Sequence, residues 1–166
     1  MTESTRAGWR EHVDLAGAVY GSLLAASVVV GQSPLKEAVR PPELALVLIT
    51  TGIVFWLLHV YSRAIGHVRD GRLSRATLEL AAREESPVVL AAVPPAAAAL
   101  LVGALGRPHT VAAWWAFLVA VVGQVGWAVV ATRQAGASSS RVMALSVLVN
   151  LALGLVLVVL KVIVSH

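Results

Sequence analysis

Few side chains in this sequence can hold a proton, a cation or a polar ligand, and the telling ones lie inside long apolar runs. His59 stands first, in the run PELALVLITTGIVFWLLHVYSRAIGH that covers 42–67. An imidazole exchanges a proton near neutral pH, and an ionisable group inside a membrane span is costly to keep. Tyr20, Gln124 and Asn150 add a phenol and two carboxamides, each both donor and acceptor. Counted from the expected cytoplasmic ends of their helices, all four side chains lie roughly 12 Å deep at 1.5 Å per residue. Pro95 reaches the same level in another span. Prolines at Pro94 and Pro95 break a helix and free the carbonyls of Leu90 and Ala91, which in lipid want donors.

Two kinds of chemistry fit such a layer. Tyr20, Gln124 and Asn150 can be glue between helices, each bond contributing about 1 kcal/mol or less. Alternatively His59 sits in a small hydrated cavity and handles a proton, a cation or a polar ligand. Both readings stay open on the residues alone. Tyr20 is the expected neighbour of His59, with Gln124, Asn150 or a freed carbonyl on the other ring nitrogen. A second candidate is the pair Asp14 and Arg63, expected to meet at the cytoplasmic ends of the first two spans.

Other chemistries find no residues. There is no cysteine, hence no thiolate nucleophile, disulfide or Cys-bound metal. His59 and His67 are eight apart and make a weak metal pair, so no metal and no cofactor are expected. The serines of GASSS (136–140) have no paired base, and no glycine-rich phosphate loop appears. The expectation is therefore a protein that is not an enzyme. The pI near 10.3 suggests nucleic acid at first sight, but the basic residues sit in short loops, with no aromatic-basic surface. No nucleic-acid partner is expected.

The elements that must position these groups are hydrophobic helices. The chain is 58% hydrophobic and only 13% charged, with mean hydropathy +0.81, far from the usage of a soluble domain. The fold class expected is all-α: a membrane helical bundle of five transmembrane spans plus a short amphipathic interfacial helix. A polar N-terminal tail, 1–12, precedes a single transmembrane domain, 13–166. The spans are 13–31, 43–67, 87–105, 110–132 and 142–164, with the amphipathic helix within 69–85. Leu73, Ala76 and Leu80 form its expected apolar face, with Arg72, Arg75, Glu79 and Arg83 opposite. In the first span Gly17, Gly21 and Ala25 recur every fourth residue, as do Ala18, Ser22 and Ala26, rows that let another helix approach closely. In the second span Gly52, Phe55, His59, Ser62 and Gly66 form a stripe facing protein. Val54, Leu57, Leu58, Tyr61 and Ile65 face lipid. Trp114 and Trp115 suit an interfacial belt.

Charge sets the orientation. Nine Lys and Arg residues (6, 10, 63, 69, 72, 75, 83, 133, 141) fall on one side of a five-span layout and four (36, 40, 107, 161) on the other. The positive-inside rule then puts the N-terminus in the cytoplasm and the C-terminus outside, in a multi-pass protein of the cell membrane. Arginine-rich, lysine-poor usage suggests a bacterial source.

The segment FWLLH, Phe55 to His59, resembles the Trp-x-x-His segment in the second span of a potassium-channel family of bacteria and lysosomes. That family's Phe-Ser-Asp signature in the first span is replaced here by VYGSLLA, 19–25. The likeness covers about ten residues; it implies a channel and transfers no site residues. More broadly the chain resembles the small uncharacterised polytopic membrane proteins of bacteria. The expected function is small-ion or proton transport, channel-like and as a homo-oligomer in the lipid bilayer. The alternative is an accessory subunit whose small-residue rows bind a membrane partner's helices.

Overall fold

The computed structural model describes residues 15–32, 39–66, 74–134 and 140–164, and among these every regular element is a helix. They are α1 (Leu15–Gln32), α2 (Pro41–Gly66), α3 (Arg75–Glu84), α4 (Ser86–Leu90), α5 (Val93–Ala104), α6 (His109–Gln134) and α7 (Ser140–Val164). Asp14, the tail 1–12, the basic residues Arg69 and Arg72, and loop residues 135–139 lie outside the described residues.

Three helical stretches are long and apolar enough to cross a membrane: Pro41–Gly66, Arg75–Ala104 and His109–Arg133. Two further apolar stretches are shorter, Ala16–Gln32 and Val147–Val156. This is the composition of a membrane-embedded protein.

Local sequence explains where the helices begin and end. Pro41 and Pro42 open α2, where a missing N–H costs nothing and the ring's fixed φ is already helical. Glu43 in that first turn accepts from Arg40 Nε at 2.8 Å. The α5–α6 hairpin turns on Gly106, whose φ of +68° is open to glycine and strained for other residues. Its N–H reaches Gly103 O at 3.0 Å and that of Arg107 reaches Val102 O at 3.4 Å, a Schellman ending that folds α6 back against α5.

The third span is broken at the prolines, as expected: the helix stops at Leu90, turns at Ala91–Ala92 and restarts as α5 with Pro94 and Pro95 in its first turn. Proline is welcome there, so the chain stops α4 and starts α5 instead of kinking one helix. The amphipathic helix runs on without a loop, α3 passing into α4 at Glu85. Its rotation differs from expectation. Ala81 is the residue it buries, while Ala76 and Leu80 stay exposed.

Helix α6 is the hub, packed on α1, α5 and α7, while the short α4 wedges between α1 and α2. Small residues make the close approaches. A Cβ on Gly21 would come within 2.5 Å of Val88 O, and one on Gly52 within 3.1 Å of Ala92 Cβ. The apolar core joins Ala25, Ala26 and Val29 of α1 to Leu44 and Leu48 of α2, Ala96 and Ala99 of α5, and Ala116 and Ala120 of α6. Both small-residue rows of α1 are thus covered within the chain itself. On α2 the inward row is Leu44, Leu48, Gly52, Val60 and Ala64, so the expected stripe is right at Gly52 but leaves Ser62 and Gly66 exposed. Val54, Leu57, Leu58, Tyr61 and Ile65 face outward, as a lipid-facing surface requires.

Candidate functional site

The polar side chains gather into three groups in the half of the bundle away from the alanine-rich core. In the first, α2 and α1 bring the rings of His59 and Tyr20 to 5.2 Å between centroids, tilted by 48°. Phe55, one turn before His59, meets Tyr20 edge-on at 6.3 Å. His59 Nδ1 lies 2.8 Å from Phe55 O. A carbonyl can only accept, so Nδ1 donates, and in the neutral ring Nε2 carries the lone pair. That nitrogen is therefore the one able to take a proton. At Nδ1 the partner expected from Gln124, Asn150 or span three is replaced by the ring's own helix, because the i−4 carbonyl is already within reach. His59 is half-buried and Tyr20 is 37% exposed, so the pair lines the wall of the bundle, not its centre.

The second group lies one turn further along α2. Arg63 Nη1 donates to Glu84 Oε2 at 2.5 Å, and Arg63 Nε lies 2.6 Å from Glu85 Oε1. The Glu85 side chain is only 8% exposed. Trp56 Nε1 donates to Ala82 O at 3.0 Å. These bonds clamp α3 onto the end of α2 and turn Ala81 inward, which explains the rotation of the amphipathic helix. Sequence reasoning paired Arg63 with Asp14, which lies outside the described residues, and missed both glutamates. The signal was available: Glu84 and Glu85 stand just ahead of Ser86-Pro87, where the next span starts.

In the third group, Gln124 of α6 is wholly buried and meets Asn150 of α7. Its Nε2 donates to Asn150 O at 3.2 Å and to Asn150 Oδ1 at 3.1 Å. Gln124 Oε1 is buried without a hydrogen-bond partner. Between the first and third groups stands α1. Ser22, two residues after Tyr20, turns the other way and is buried beside Gly123, with its hydroxyl on Ala18 O at 2.9 Å. The four residues expected in one layer thus form two pairs, Tyr20 with His59 and Gln124 with Asn150, on opposite sides of α1.

Two further hydroxyls bond within their own helices, Ser27 to Leu24 O at 2.7 Å and Thr132 to Ala128 O at 2.7 Å. No group of three or more metal-ligating side chains occurs among the described residues. Comparison with protein-family models, with curated proteins and with solved structures finds no match.

Proposed function

We propose that this is a five-span membrane protein, N-terminus in the cytoplasm, that moves protons or small cations with His59 as the exchanging group. The observation that carries the reading is the Nδ1–Phe55 bond, which leaves Nε2 as the proton-accepting atom in a wall lined by Tyr20. The Arg63–Glu84–Glu85 cluster one turn away supplies charged groups at the expected cytoplasmic end of the same helix. A polar pair on the outer wall is poorly placed against lipid. A second copy covering the α1–α2 face would shield it and place the pathway between protomers. The accessory-subunit alternative loses its main support, since the rows Gly17–Gly21–Ala25 and Ala18–Ser22–Ala26 are covered by the chain's own helices.

The test is proton entry into liposomes carrying the purified protein and an internal pH dye. An external acid step should acidify the lumen faster than in protein-free vesicles. Equal rates over a range of membrane potentials and added monovalent cations would sink the proposal.

A further inference from the structure

The buried carboxamide pair is a separate matter from His59. Gln124 Nε2 has two hydrogens, and both are spent on Asn150. Oε1 remains, with no surface exposure and no donor. Leaving a buried carbonyl oxygen unpaired is expensive, and more so in hydrocarbon. Turning the Gln124 amide over does not help. It would set Oε1 against two acceptors and strand the two hydrogens of Nε2. Neither orientation closes the network with the groups that Gln124 touches. Ser22, the buried hydroxyl that α1 presents to this stretch of α6, has given its hydrogen to Ala18 O. Gly123 contributes no side chain beside it. Among the described residues no donor is left for it.

We infer that Gln124 Oε1 is one wall of a binding site for a single exchangeable water molecule inside the bundle. The water donates to Oε1, as buried waters do where a polar group is otherwise orphaned. Such a molecule makes the α1–α6–α7 contact a wet seam in an otherwise alanine-packed interior. It also explains why a carboxamide pair is kept where leucine would pack.

The probe is water itself. Protein labelled with ¹⁵N-glutamine has three carboxamide signals, from Gln32, Gln124 and Gln134. The Gln124 signal is identified by its loss in Gln124→Met. In liposomes, magnetisation passed from water at short mixing times should reach the Gln124 amide in the wild-type protein. It should do so equally in His59→Leu, since the seam lies on the other side of α1. In protein labelled with ¹⁵N-asparagine, which marks Asn150 alone, Gln124→Met should lower the water transfer several-fold. A wild-type Gln124 amide that receives no water magnetisation would overturn the inference, whether or not the variant folds. So would undiminished transfer to Asn150 in a folded Gln124→Met protein.

Discussion

At Arg63 one guanidinium holds two carboxylates, and Glu85 depends on it most because its side chain is nearly buried. Removing the arginine leaves that carboxylate uncompensated, a loss of about 3 kcal/mol for buried pairs. Arg63→Gln should therefore lower unfolding stability in detergent by about that much, and adding Glu85→Gln should restore most of it. Full additivity of the two losses in a double-mutant cycle would show that the pair is not coupled. For His59, the same scale of reasoning concerns a single bond. ¹⁵N spectra of the neutral ring should show the proton on Nδ1; a proton on Nε2 would mean that the Phe55 bond does not hold in lipid. What the sequence made legible here was residue type. It could not tell which neighbour wins, because that depends on helix rotation. His59 is met by Tyr20 and by its own i−4 carbonyl, whereas Gln124 turns to Asn150.

Among the elements, α4 is the least expected and the most constraining. Five residues between two stops fill the space between α1 and α2, and their backbone lies against Gly21. Gly21→Val should force α1 off α4, since even its Cβ would meet Val88 O and Ala91 Cβ too closely. Overpacking of this kind costs about 1–3 kcal/mol, readable as a lower thermal midpoint in detergent. Gly126→Val is the control, for a Cβ there meets nothing within 4 Å. Equal effects of the two would refute the wedge. Long apolar runs, helix-opening prolines and the glycine turn at 106 were readable because they act locally. The break at Pro94 and Pro95 was readable for the same reason, whereas the rotation of α3 was not, because it depends on which residues of α2 it meets.

For the whole molecule, the nine-to-four partition of basic residues predicts the orientation. A reporter after His166 should be active outside the cytoplasm and one near Gly136 inside; the reverse pair would remove the proposed topology. The exposed side chains Tyr20 and Leu58 also predict how copies meet. Cysteine placed at Tyr20 or Leu58, in a chain with none of its own, should cross-link between protomers if the α1–α2 face is covered by a second copy. The proposed transport turns on His59 as the group that exchanges the proton. It is tested most directly by measuring acid-driven proton entry into liposomes for wild type and His59→Leu side by side, at matched protein density. Entry should run well above that of protein-free vesicles for the wild type and fall to their level for the folded variant. A His59→Leu protein that conducts as the wild type does would contradict it.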